Sequence, residues 1–186
     1  SVLFFSFGGE IMEQELLSFL KQEDGKKYSI KELSEHLGYK SADDYKALAK
    51  VINHLEEQAL IIANSKNKYT LIEFTPYEKG VLDVKDKGFG FLKIDDSDDD
   101  DIYIPKGKMQ GAMNHDHVLV LVEKSPKGLR KEGEVVRVLA RNYTHIIGTV
   151  VKRGKYYLLI SDDKSIKQDI IIKESDLTRQ NLMIKL

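Results

Sequence analysis

Residues 87–92 read Lys-Gly-Phe-Gly-Phe-Leu, and residues 101–105 read Asp-Ile-Tyr-Ile-Pro. Side chains alternate faces along a β-strand. Phe89 and Phe91 therefore share one face, with Gly90 on the other. In the second run Tyr103 stands on the face opposite Ile102 and Ile104. Two adjacent antiparallel strands would unite Phe89, Phe91 and Tyr103 in one exposed platform. Gly88 and Gly90 add no bulk, which would let flat bases approach. A base stacked on an aromatic ring contributes about 1–3 kcal/mol. Lys87 and Lys93 flank the rings and Lys106 follows the second run, so all three are candidate phosphate contacts. The competing reading is that the three rings pack a small β-core.

Working outward, residues 76–141 hold five strand-like segments: 80–84, 88–94, 101–105, 118–122 and 133–139. In the fourth, Val118, Val120 and Val122 alternate with Leu119 and Leu121. Five short strands suit a closed OB barrel. The connection between the third and fourth strands carries Gly111-Ala112-Met113-Asn114-His115-Asp116. His115 reads as a polar loop residue, since no second ligand lies at metal spacing. The acidic run 95–101 has neither the Gly nor the terminal Glu of a calcium loop. It reads as a solvated turn.

Residues 12–75 have a different period. Leu16, Leu17, Phe19 and Leu20 mark a helix that ends at Gly25. Ser29 followed by Glu32 is a capping box opening a second helix that stops at Gly38. A third helix over 41–58 carries Tyr45, Leu48, Val51, Ile52 and Leu55. Two short strands around a turn at 64–67 complete a three-helix winged helix-turn-helix. Lys46 and Lys50 on the third helix, with Asn53 and His54, are weaker nucleic-acid candidates, as are Lys66 and Lys68 at the wing. Asp43, Asp44, Glu56 and Glu57 share the third helix, so a solvated face or a protein contact stays open. Residues 1–11, apolar and without a basic flank, make a poor signal peptide. They read as a leader or expression remnant before Met12.

Residues 142–186 begin a second β unit. A hairpin turns at Gly154-Lys155, and Asp169-Ile170-Ile171-Ile172 echoes Asp101-Ile102-Tyr103-Ile104. Three strands of a second barrel are present and two are missing, so the unit is truncated. The fold class is multidomain α + β: winged helix, five-stranded OB barrel, partial OB-like unit.

The chain has 186 residues, 41% hydrophobic and 32% charged, with a net charge of −1 and no cysteine. This excludes disulfides and thiolate metal sites. Residues 141–186 carry 9 basic against 5 acidic residues, and six acids in the run 95–101 explain the acidic balance of the middle. No apolar stretch approaches the ~20 residues of a membrane helix. No Ser/His/Asp, Cys/His or paired-carboxylate constellation points to catalysis, so no catalytic residue, metal ligand or cofactor is nominated within the chain.

Lys87 to Phe91 and Asp101 to Tyr103 resemble the two RNA-binding motifs of a cold-shock domain. Pro105 stands where single-domain cold-shock proteins often carry His. Leu82 falls near the place of their usual aromatic on the preceding strand. The phrase Gly111-Ala112-Met113, followed by Asp116 and Val118, is similar to the cold-shock domains of the RNB exoribonuclease family, the ribonuclease II and ribonuclease R type. The order of units over 12–186 resembles the N-terminal part of the ribonuclease R type. That resemblance implies a cytoplasmic 3′-to-5′ exoribonuclease whose Mg2+-dependent nuclease domain lies outside this sequence. It also implies capture of single-stranded RNA here. Structured RNA, the ribosome and the degradation machinery are further partners in that frame. A winged-helix DNA-binding regulator and a protein-docking module with weak RNA binding remain alternatives. Stacking is indifferent to the 2′-hydroxyl, so the residues alone do not choose between RNA and DNA.

Overall fold

The computed structural model describes residues 7–95, 97, 99–123, 130–163, 166, 169–177 and 184–185. The chain divides into two compact units, 1–77 and 78–186.

In the first unit, helix α1 (Phe7–Gln22) is followed by α2 (Ile30–Leu37) and α3 (Ala42–Glu57). An antiparallel hairpin of β1 (Ile61–Ala63) and β2 (Tyr69–Leu71) comes next. The capping box expected at Ser29 is present. Ser29 N donates to Glu32 Oε2 at 2.6 Å, and Glu32 N donates to Ser29 Oγ at 3.3 Å. A second box, Ser41 with Asp44, starts α3. Together these satisfy N–H groups that a helix start otherwise leaves orphaned. Gly38 ends α2 in the left-handed conformation. Leu16, Leu20, Leu33, Leu48, Ile52, Leu55 and Ile61 fill the core. One boundary differs from expectation. Helix α1 already runs through residues 7–11, which the sequence alone assigns to a leader, and Glu10 lies in its first turn where the helix dipole favours an acid. Residues 1–6 of that segment lie outside the described residues.

The second unit is built around a five-stranded sheet: β3 (Tyr77–Val84), β4 (Gly90–Ile94), β5 (Ile102–Ile104), β6 (His117–Val122) and β7 (Gly133–Ala140), in the order β5-β4-β3-β6-β7. The sheet curls until its edges meet. Tyr103 bridges Glu132 in parallel, and Tyr103 N donates to Lys131 O at 3.0 Å. This is an OB-like arrangement. Alternation sends Leu82, Leu92, Ile102, Ile104, Val118, Val120 and Val135 inward, with Met109 and Ala112 from the connection closing the core.

Asp116, fully buried, ties this sheet to the segment that begins at Arg141. It accepts from Met113 N (2.8 Å), Asn142 N (3.0 Å) and Arg141 Nη1 (2.7 Å). Beyond it, β9 (Gly148–Arg153), β10 (Tyr156–Ser161) and β11 (Ile170–Ile172) form an antiparallel sheet in the order β11-β10-β9. The short β8 (His145–Ile146) pairs with β12 (Ile184–Lys185). Between β8 and β9 stands Ile147, whose carbonyl accepts from Asp162 N at 3.0 Å. Met113, Ile146, Leu159, Ile170 and Ile172 make a separate core.

The two sheets repeat one plan. Buried Leu92 pairs with Ile102, as buried Leu159 pairs with Ile170. Gly80 and Gly148 occupy matching crowded positions: a Cβ there would lie 1.9 Å from Lys93 O and 2.1 Å from Ile160 O, respectively.

Candidate nucleic-acid interface

The three aromatic side chains nominated from sequence converge. Phe91 and Tyr103 are directly paired across β4 and β5, and Phe89 sits just before β4 on the turn that joins it to β3. Ring centroids are 5.6 Å apart for Phe89–Phe91, 5.6 Å for Phe89–Tyr103 and 5.8 Å for Phe91–Tyr103. These are edge-on and tilted contacts in the favourable range for aromatic pairs. All three rings are half-buried, while their inward neighbours Leu92, Ile102 and Ile104 are buried completely. The rings therefore form an outer face over a finished aliphatic core, which disposes of the reading that they are the core.

The turn before Phe89 is sharply held. Gly88 N donates to Lys85 O and Lys85 N donates to Phe89 O, both at 2.8 Å. Gly88 has φ +83°, and the stem of Lys106 crosses it so closely that a Cβ would lie 3.1 Å from Lys106 Cδ. Only glycine accepts both conditions without strain. Gly90 has a different role from the one expected. It is buried, and a Cβ on it would press on Leu82 Cδ1 and Met109 Cε. Its smallness serves the core and not the approach of a base. Leu82 likewise points inward and is fully buried, so it does not stand in for a platform aromatic.

Asp83 is the residue across from Phe91 on β3. Alternation with buried Leu82 places it on the outer face. Its carboxylate accepts from Lys85 Nζ at 2.7 Å and lies 3.8 Å from Lys93 Nζ. The Lys85 ammonium, and then Lys93 and His115, hold the Asp83 carboxyl below its usual range. Lys93 is thus exposed but already faces an acid. Lys87 and Lys106 are exposed, and neither stands in an ion pair with a described residue.

Arg130 is missing from the candidates that the sequence offers, yet its guanidinium lies 4.4 Å from the Phe91 centroid and 5.9 Å from that of Tyr103. Lys85 Nζ lies 5.9 Å from the Phe91 centroid. The signal for Arg130 is the basic pair Arg130-Lys131 directly ahead of the fifth strand. The signal for Asp83 is strand parity. Part of the acidic run already has partners: Asp95 Oδ2 is 2.6 Å from His117 Nε2, and Asp99 is 3.8 Å from Lys131 Nζ. Asp96 and Asp98 lie outside the described residues.

Residues 80–138 match the family described as the Ribonuclease B OB domain. Over 159 residues the chain is 30% identical to ribonuclease R of Vibrio parahaemolyticus, covering 84% of this chain and 19% of that protein. It is 26% identical over 183 residues to ribonuclease R 1 of Lactococcus lactis, covering 91% of this chain and 22% of that protein. The chain fits the N-terminal region of ribonuclease R. It spans about a fifth of the length of these curated ribonuclease R relatives. Among solved structures, ribonuclease R of Mycoplasma genitalium in complex with ribose-methylated single-stranded RNA is similar, with a TM-score of 0.46 and 20% identity over 55% of this chain and 17% of that one.

In the helical unit of this ribonuclease R-like region, two of the four weaker candidates already face acids. Lys68 Nζ donates to Glu32 Oε1 at 2.9 Å, and Lys46 lies 3.8 Å from Asp43. Lys50 on α3 and Lys66 at the hairpin turn are exposed. Lys68, with the Ser29 cap, lowers the Glu32 carboxyl to about 2. In the second sheet, Leu158 and Ile171 pair where Phe91 and Tyr103 pair in the first. Tyr156, Ile160 and Ile171 are all exposed there.

Proposed function

We propose that this chain captures single-stranded RNA for a 3′-to-5′ exoribonuclease of the ribonuclease R type, and hands it to a nuclease domain outside these residues. The observation that carries the reading is the outward triad of Phe89, Phe91 and Tyr103, ringed by Lys85, Lys87, Lys106 and Arg130 on a fully packed aliphatic sheet. Rings supply stacking that tolerates any base, and the cations track the backbone. The similarity to curated ribonuclease R proteins supports the same reading.

In this frame the curled sheet acts as a cold-shock domain and the three helices with their hairpin as a winged helix. Mg2+-dependent hydrolysis belongs to the absent domain, and the setting is the cytoplasm. Structured RNA, opened at its single-stranded end, is the next substrate to test, and the ribosome or degradation machinery the next partner. Among the described residues no helix is long and apolar enough to cross a membrane.

The test is fluorescence anisotropy with labelled poly-A RNA, the same sequence as DNA, and a duplex, each at two salt concentrations. Single strands bind, affinity falls with salt, and the Phe89→Ala/Phe91→Ala pair abolishes binding. A preference for duplex DNA would move the activity to the helical unit and overturn the reading. Binding unaffected by the double substitution would remove the platform from it.

A further inference from the structure

A cavity of about 260 Å3 opens beside the platform. This is close to the lower end of the roughly 300–1,000 Å3 typical of small-molecule sites. Its chemistry is divided. On one side are the thioethers of Met109 and Met113, both nearly buried, with Ile166 half-buried. On the other are the turn 85–88 and the Lys106 stem that crosses it, which bring Lys85, Lys87 and Lys106 to the lining with one acid, Asp86; the Lys85 ammonium itself is held by Asp83.

The cavity sits at a seam within the second unit. Met109 belongs to the core of the five-stranded sheet, and Met113 and Ile166 pack with the core of the second sheet. It adjoins the platform. Lys85 lines it and also stands 5.9 Å over the Phe91 ring, and Phe89 comes directly after the lining turn. Asn114 contributes a half-used amide. Its Oδ1 accepts from Val84 N at 2.8 Å, which leaves the Nδ2 donors for a ligand.

We propose that this cavity is a nucleotide subsite, taking the nucleotide next to those stacked on the platform. The flat base lies against the Met109 and Met113 sulfurs, which favour aromatic contacts. The phosphate meets Lys87 and Lys106. The Asn114 amide donates to an acceptor on the base. The proposal rests on the single-strand reading above, but its test separates the two.

The probe is 5′-AMP, titrated into the full chain carrying 13C-methyl methionine. The Met109 and Met113 methyl resonances shift, and Met12, in the helical unit, does not. Adenosine binds at least about tenfold more weakly, because the phosphate contacts are lost. Ile166→Phe, which fills the cavity, raises the Kd for AMP at least about tenfold and leaves Phe89-dependent oligonucleotide binding in place. Lys106→Ala, on the exposed rim, weakens AMP binding without touching the fold. Unmoved Met109 and Met113 resonances overturn the subsite, even when an oligonucleotide is bound through the platform. So does an AMP response that survives both substitutions. If AMP shifts both methyls but Phe89→Ala leaves oligonucleotide affinity unchanged, the subsite stands and the platform reading falls.

Discussion

Phe89→Ala separates a binding face from a core more sharply than any other single change in this chain. The ring makes two aromatic contacts, each with centroids 5.6 Å apart. Such pairs contribute about 0.5–1.5 kcal/mol each. Phe89 is half-buried and lies outside the strands, so part of that gain is already lost to water. The expected stability loss is therefore about 1–2 kcal/mol, well under the roughly 3–5 kcal/mol of a fully buried Phe→Ala change. For a unit of this size it appears as a fall in Tm of about 4–8 °C. Binding should suffer more. Loss of one stacked base costs about 1–3 kcal/mol, which is roughly 5- to 150-fold in Kd. The assay pairs anisotropy titration of single-stranded RNA with thermal unfolding of the same preparation. Affinity within about twofold of the parent, together with a stability loss of about 3 kcal/mol or more, would show that the ring supports the fold and that the platform argument is wrong.

Three further expectations rest on the same geometry. Asp83→Asn frees Lys85 and Lys93 from their shared carboxylate, so single-strand affinity rises and the salt dependence steepens by about 0.7 in log–log slope for each phosphate gained; an unchanged slope refutes it. Asp116→Ala leaves Met113 N and Asn142 N without an acceptor and Arg141 without its acid, and with Arg141 partly hydrated the loss is about 2–4 kcal/mol, read by denaturant unfolding of the second unit. Glu32 has a carboxyl depressed from 4.5 to about 2; a depressed folded pKa adds stability that is complete above the ordinary value and is lost as pH falls towards 2. The helical unit should weaken between about pH 4.5 and 2, and Glu32→Gln, measured by circular dichroism across that range, should flatten the profile.

Much of this architecture is legible in the residues because burial leaves a period. Leu48, Val51, Ile52 and Leu55 announce a helix face, and the alternation around Phe91 and Tyr103 announces an outer face. Ser29 with Glu32 marks a helix start because the cap is local. The features that escape a reading of the residues depend on contacts distant in sequence. The basic pair Arg130-Lys131 is visible in the residues, but its meeting with Phe91 depends on positions 39 apart. Asp116 looks like part of a loop phrase, yet its three bonds reach Met113, Arg141 and Asn142. Gly90 invites a reading from its neighbours' chemistry, whereas its own parity sends it into the core. Lys68 and Lys93 look like cations for phosphate, whereas Glu32 and Asp83, 36 and 10 positions away, already claim them.

The bond that closes the sheet is made by the main chain of Tyr103, not by its ring. Closure therefore does not depend on which side chain position 103 carries. The same holds along the outer face of the strands, where Phe91 is followed by buried Leu92 and Tyr103 lies between buried Ile102 and Ile104. Ligand chemistry and architecture are in this sense written on separate letters of the same strands. The second sheet shows how far that freedom extends, since Leu158 and Ile171 occupy the matching pair with the buried plan beneath them unchanged. A scaffold of this kind can exchange one class of guest for another by substitutions that leave the buried plan in place.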